Sequence, residues 1–357
     1  MFKLLDWYII RKFLGTYLFA IALILAITIM FDINEKLDAF IKAPLKATVF
    51  DYFVNFLPYF ANQFSPLFTF IAVIFFTSKL ADNSEIIAML SSGVSYKRLL
   101  FPYMISAAVI ASATFALSAY IIPPANIKRI DYTNTYVRNK RVDYGSNIQL
   151  QVAPGEIAYM SRYDNTVKTG YKFSLETFKD KKLTSRLTSQ SIKWLGGYQW
   201  QVKDYVIRDF ADHREYIRSG RELDTIIPIE PRDFLIAQND HETMTSPQLQ
   251  EYITRQKERG VANIKSFEIE NHRRYAMTAA AFILTVIGMA LSSRKVKGGM
   301  GINIGIGLVL SFSYILFMTV TSTFAVSGYT SPFVAMWIPN LIYIVIAIVL
   351  YRRTSAG

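Results

Sequence analysis

Three long apolar runs, a polar stretch with a strand-like rhythm, then three more apolar runs: this is the order of hydrophobic and polar positions along the chain. A helix needs about 20 apolar residues to cross roughly 30 Å of hydrocarbon, so the runs are predicted as membrane spans. The first is Phe13 to Phe31, after the amphipathic segment MFKLLDWYIIRK. It is too long for a signal-peptide core and no small-residue cleavage site follows, so it reads as an uncleaved span. The second, Tyr52 to Thr77, holds Asn55, Pro58, Asn62, Gln63 and Pro66. Amides and prolines in a span are tolerated where neighbouring helices or a cavity satisfy the freed polar groups. This helix is therefore expected to face protein or a cavity on one side, and both helix packing and a substrate path account for it. The third, Leu99 to Ile122, is expected to stop at Pro123 and Pro124. Spans four to six are Tyr275 to Leu291, Ile302 to Val326 and Pro332 to Tyr351.

The stretch from about Pro123 to Phe267 separates the two halves. Within it Ile148, Leu150 and Val152 alternate with polar residues, as do Tyr171, Phe173 and Leu175, and Tyr198, Trp200 and Val202. Turn sequences YGSN, APGE, YDNT and LGGY punctuate these runs. Period-2 alternation with frequent turns predicts an all-β sandwich or roll. Near its end, MTSPQLQEYITRQKERG reads as a surface helix. Ser246 is the expected N-cap, Pro247 fits the first helical position and Gly260 the stop.

Spans two and three are joined by TSKLADNSEIIAMLSSGVSYKRLL. Asn83 or Ser84 can cap a short helix there, with Glu85 in the first turn where the helix dipole favours an acid. Ile86, Met89 and Leu90 form one apolar stripe, and Gly93 ends the helix. Such a stripe must be buried in the membrane surface, in the protein's own spans or in a groove of a cytoplasmic partner.

Charge adds orientation. The chain has 357 residues, 52% hydrophobic and 18% charged, with a net charge of +12. In the short segments Lys3, Arg11, Lys12, Lys79, Lys97, Arg98, Arg294, Lys295, Lys297, Arg352 and Arg353 fall on one side, and only Lys36, Lys42 and Lys46 on the other. By the positive-inside rule the first side is cytoplasmic, both termini are inside and the β block is outside. The positive charge is thus topological, and nucleic acid drops out as a partner. Lys36 and Lys42 read either as a solvated helix end or as contacts for an anionic head group at the outer face.

Catalytic and cofactor chemistry finds little support. There is no Cys, and His213, His241 and His272 lack metal-ligand spacing. No G-x-S-x-G nucleophile motif occurs, and KGGMGINIGIGL lacks the G-K-[ST] of a phosphate loop. No metal or cofactor is expected, and any ATP hydrolysis must reside in another subunit. Gly301 and Gly305, four apart with Gly307 nearby, instead suggest close helix approach in a tight or mobile seam at span five.

The layout, together with YIIRKFLGTY, SEIIAMLSSGVSYKRLL, HRRYAMTAAAF and RKVKGGMGINIGIG in this order, resembles the lipopolysaccharide-export permease family (LptF/LptG) across essentially the whole chain. The resemblance implies a polytopic α-helical membrane protein of the bacterial inner membrane, with six transmembrane helices arranged three and three and an inserted all-β jellyroll-like periplasmic domain. It implies domains at 1–122, 123–267 and 268–357. Two related permeases would pair around a cavity, a cytoplasmic ABC ATPase would dock on their coupling helices, and lipopolysaccharide would pass to a single-span jellyroll bridge protein. On this chain the coupling helix falls at 84–92, with Glu85, Ile86, Met89, Leu90 and Gly93 as its contact residues. The first and fifth spans would form a lateral gate at Phe31, Gly301, Gly305 and Gly307, with Lys36 and Lys42 near the lipid head group. Removing acyl chain from a bilayer costs about 0.8 kcal/mol per CH₂, so roughly 10 kcal/mol for each 12-carbon chain. Such a lipid therefore needs an apolar cavity, an apolar slot in the β domain and an external energy source. Two other readings are a lipoprotein-release or mechanotransmission permease, which usually has four spans, and a non-transporting membrane scaffold, which has no use for a proline-broken span two.

Overall fold

Six helices are long and apolar enough to cross a membrane in a computed structural model that describes residues 4–137, 144–211, 214–234, 240–258, 264–294 and 300–355. The chain forms two compact units. One comprises Met1–Asn139, Glu242–Leu249 and Lys265–Gly357, and the other Lys140–His241 and Gln250–Ile264. Before the strands come α1 (Leu4–Glu35), α2 (Val54–Gln63), α3 (Ser65–Asp82), α4 (Glu85–Ser91), α5 (Tyr96–Ala116) and α6 (Ile122–Tyr132). After them come α7 (Ser246–Glu258), α8 (Lys265–Ser292), α9 (Met300–Val326) and α10 (Pro332–Ser355). The protein is thus a helical membrane protein with an inserted β domain.

In the helical unit α3 and α8 lie at the centre. One core cluster joins Ile9 and Phe13 of α1 to Val73 of α3, Tyr103 of α5 and Met289 of α8. A second joins Phe70 of α3 and Leu284 of α8 to Tyr314 of α9 and Tyr343 of α10. A buried amide locks the second group: Asn340 Nδ2 donates to the Ala276 carbonyl at 2.9 Å, and its Oδ1 accepts from Tyr314 at 2.9 Å.

The prolines act differently from their sequence reading. Span two is not one helix from Tyr52 to Thr77. A wide π-helical turn at Thr48–Phe53 leads into α2, the chain breaks at Phe64, and α3 begins with Pro66 in its first turn. Proline there has no needed N–H to forfeit. The Asn55 amide donates to the Phe50 and Asp51 carbonyls at 3.0 and 2.9 Å, satisfying acceptors in the wide turn. Likewise Pro123 and Pro124 do not end span three. A π-helical turn at Leu117–Ile121 opens the helix, and both prolines then sit in the first turn of α6, so helical structure runs from Tyr96 to Val137. The cap of α7 is Thr245 rather than Ser246. The Leu249 N–H donates to the Thr245 carbonyl at 2.8 Å, and the Thr245 N–H donates to Gln248 Oε1 at 3.0 Å, half of a capping box. The expected stop at Gly260 lies outside the described residues, as do Lys3, His213, Lys295 and Lys297.

The second unit holds β1 (Tyr144–Ala153), β2 (Glu156–Asp164), β3 (Thr169–Lys179), β4 (Lys182–Gly196), β5 (Gln199–Ala211) and β6 (Arg214–Ile226). They form one antiparallel sheet in sequential order, each strand paired with its neighbour in sequence. Apart from bulges near the hairpin ends at Gln151/Ala153, Thr177/Phe178 and Trp194/Gly196, every ladder skips one common row: Asn147, Ser161, Lys172, Gln190, Asp204 and Arg221 lie across from one another without pairing, and the register is the same on either side of that row. Lys172 and Asp204 take left-handed φ angles of 51°, which turns the strand over. The alternation accordingly changes phase there. Tyr205 packs against the core on one side of Asp204, and Val202 and Trp200 on the other. Phe173 is buried beyond Lys172, whereas before it Gly170 is the residue turned toward Ile192, Met160 and Tyr163. The row is a crease, and the two layers of the expected roll are halves of the same six strands. Flat strands three positions apart would lie about 14 Å from each other. Tyr163 on β2 and Trp200 on β5 instead meet edge-to-face with centroids 6.3 Å apart. Among the described strands there is no Greek-key crossover of the kind a jellyroll uses.

Candidate functional site

Helix α4 is short and firmly held. Ser84 occupies the N-cap position in the left-handed region and its side chain makes no capping bond, so the expected cap is not made by that hydroxyl. At the other end the Gly93 N–H donates to the Leu90 carbonyl at 3.0 Å and the Val94 N–H to the Met89 carbonyl at 3.3 Å, a Schellman closure with Gly93 at φ 89°. The stripe divides. Ile86 is 1% exposed in the protein's own core and Met89 packs against the same cluster, while Leu90 is exposed. Ile87, which the stripe did not include, is the most exposed large apolar side chain of the helix, at 53%. Glu85 accepts from Tyr8 of α1 at 3.0 Å and from Asn83 at 3.2 Å. Asp6 of α1, fully buried, receives both guanidinium nitrogens of Arg98 at 2.7 and 2.6 Å. The outward surface of α4 is therefore Glu85, Ile87 and Leu90, on a base pinned to the start of α1.

The two lysines differ. Lys36 pairs with buried Asp32, donates to Tyr52 Oη at 2.6 Å and lies over the Tyr52 ring. Lys42 is exposed in the last turn of the short helix Leu37–Lys42. Tyr52 begins an aromatic ladder at four-residue spacing, Tyr52, Phe56, Phe60 and Phe64, with successive centroids 5.5, 5.7 and 4.6 Å apart. Phe31, at the end of α1, is 70% exposed.

The glycines of α9 divide as well. A Cβ at Gly301 or Gly305 would meet nothing within 4 Å, whereas at Gly307 it would fall 2.1 Å from Ile74 Cδ1. The close approach within this chain is thus at Gly307, and at Gly288 of α8, where a Cβ would fall 2.8 Å from Val73 Cγ1. Gly301 and Gly305 lie instead on an open face continued by Val309, Phe312 and Leu316.

One polar site had no signal in local sequence. Where α2, α6 and α8 approach the segment 242–246, Glu270 pairs with Arg273 at 2.8 Å and Arg274 at 2.9 Å, and Glu242 pairs with Arg129 at 3.3 Å. Arg274 also donates to Ser246 Oγ and the Met244 carbonyl, each at 2.9 Å. Arg273 reaches Gln63 Oε1 at 3.2 Å. The small cavity beside this network, about 30 Å³, is lined in part by Asn62, whose buried Oδ1 has no partner. The polar residues of span two thus have separate tasks: Asn55 repairs a helix, and Asn62 and Gln63 line a cavity. Among the described residues no group of acidic or His side chains is arranged to hold a metal ion.

Six spans, an inserted β unit and a pinned helix between spans two and three define a multi-pass membrane permease scaffold. The chain matches the family model of the lipopolysaccharide export system permease LptF/LptG over residues 7–353, and it belongs to that family. A comparison with curated proteins finds no match.

Proposed function

We propose that this chain is one permease subunit of an ABC transporter that lifts lipopolysaccharide out of the inner membrane and passes it to a periplasmic jellyroll bridge. The family match over residues 7–353 carries the reading. The structure adds a surface suited to each task. Glu85, Ile87 and Leu90 offer a small, mixed apolar and acidic face to a cytoplasmic ATPase. Motion received there reaches α1 through Glu85–Tyr8 and the Asp6–Arg98 pair. Phe31 on α1 and the open face of α9 at Gly301 and Gly305 are the surfaces on which a paralogous permease closes a lateral gate, and Gly307 fixes α9 to its own bundle. Lys42 is the freer of the two lysines for an anionic head group, and Lys36 holds the end of α1 in place. In this reading both termini are cytoplasmic and the β unit periplasmic, which the distribution of Lys and Arg supports.

The test is docking. Glu85→Lys and Leu90→Asp should each reduce the amount of ATPase recovered with the affinity-purified permease at least fivefold, with membrane insertion unchanged. Undiminished recovery with both variants would remove α4 from the ATPase interface.

A further inference from the structure

We propose that one buried water occupies the joint of span two and that the segment Glu242–Leu249 closes it in. Helix α2 ends at Gln63 and α3 starts at Ser65. Pro66 has no N–H for the Asn62 carbonyl four positions back. Breaks of this kind inside a helical bundle are repaired by neighbouring side chains or by ordered water. The cavity of about 30 Å³ lies at this break, against Tyr59, Asn62 and Gln63. A water needs about 10–15 Å³ of such space, and larger ligands do not fit.

Hydrogen bonding calls for a donor in that space. Asn62 is buried and its Oδ1 has no partner among the described residues, which is costly unless a donor reaches it. Tyr59 gives its proton to Glu242, and Ser118 gives its own to the Phe115 carbonyl. Both hydroxyls line the cavity and keep lone pairs for an incoming donor. Among the described residues three guanidiniums, Arg129, Arg273 and Arg274, stand against two carboxylates, Glu242 and Glu270. The surroundings thus repel a cation, and the donor is neutral. Water, with two protons to give, meets all these terms.

The closing segment is a strap. Glu242–Leu249 belongs to the helical unit, although the residues before it, up to His241, and after it, from Gln250, belong to the β unit. Three helices fasten it. Tyr59 of α2 and Arg129 of α6 donate to the Glu242 carboxylate at 3.2 and 3.3 Å, and Asn126 of α6 donates to its carbonyl at 3.2 Å. Arg274 of α8 holds Met244 and Ser246. Glu242 also lines the cavity, so the strap must shift before the water can leave past it. The site does not depend on the role of α4.

The test is X-ray footprinting of the full-length protein in nanodiscs. A brief pulse makes hydroxyl radicals from bound water in place, and mass spectrometry locates the oxidised side chains. Tyr59 should be oxidised at least fivefold more than Tyr103, which is fully buried and packs on Phe13 and Phe76. Mixing with heavy-oxygen water milliseconds before the pulse identifies the source. Exposed Tyr171 should then carry heavy oxygen, and Tyr59 the light oxygen of a trapped water. Asn62→Leu, which removes the acceptor and fills the space, should lower Tyr59 oxidation at least fivefold. Glu242→Gln, which weakens the strap and keeps the cavity, should let heavy oxygen reach Tyr59 at least fivefold faster. In the unaltered protein, Tyr59 oxidised no more than Tyr103, or carrying heavy oxygen as early as Tyr171, would overturn the proposal. So would unchanged Tyr59 oxidation in monodisperse Asn62→Leu, or unchanged exchange in monodisperse Glu242→Gln.

Discussion

Helices α1 and α3 pack side by side and follow opposite rules. The apolar window of α1 has a mean hydropathy of 2.4 and is 11% buried, and that of α3 has 1.3 and is 78% buried. In a water-soluble protein the greasier helix would be the inner one. In a membrane the hydrocarbon is as apolar as any core, so spans facing lipid are the most hydrophobic, while amides, hydroxyls and small residues collect where helices meet. Span two was conspicuous in the sequence for its Asn, Gln and Pro residues because its second half forms the axis of the bundle.

The most severe way to break this contrast is to enlarge an inner glycine. In Gly288→Val the new side chain meets Val73 close to its backbone and Phe70 behind it, so the variant should lose about 1–3 kcal/mol of stability in detergent denaturation. The same change at Gly305 meets nothing within 4 Å. It should leave the isolated subunit as stable as before and reduce recovery of the paralogous permease in co-purification. A smaller loss, about 1 kcal/mol, is expected for Asn340→Leu, which strands the Tyr314 hydroxyl between α9 and α10. The change should appear in the same denaturation assay. An effect that vanishes at neutral pH, and is there the smallest, belongs to the β unit, where burial, aided by Asp164, pushes the Tyr163 phenol up to about 12. An unfolded chain releases that proton near pH 10, so this contribution is intact below pH 10 and lost as pH rises toward 12. Trp200, in contact with the Tyr163 ring, should report the transition by its fluorescence, and Tyr163→Phe should flatten that part of the pH profile.

Much of the fold was legible because long apolar runs and period-2 alternation are local signals. Ile148, Leu150 and Val152 face one core as their spacing requires, and Gly93 ends α4 through a closure that glycine favours. Errors arose where a short-range rule met an unforeseen backbone. Pro123 and Pro124 are helix stops only if the preceding turn is an ordinary α turn, and a π-helical turn removes that condition. Ser246 looked like a cap, but its hydroxyl serves Arg274. The crease left no trace in the sequence, since neither Lys172 nor Asp204 is a glycine. The Arg273 site was invisible for another reason: Arg129, Glu242 and Gln63 lie far from Glu270 along the chain, and no periodicity joins them.

The creased sheet has one more consequence. A sandwich of two separate sheets can shear along the plane between them, because its covers are different strands. Here each strand belongs to both covers, and the row through Lys172 and Asp204 is the spine of a book whose pages are continuous across it. A greasy guest could part the covers by flexing six backbones at that spine, with every ladder on either side left intact.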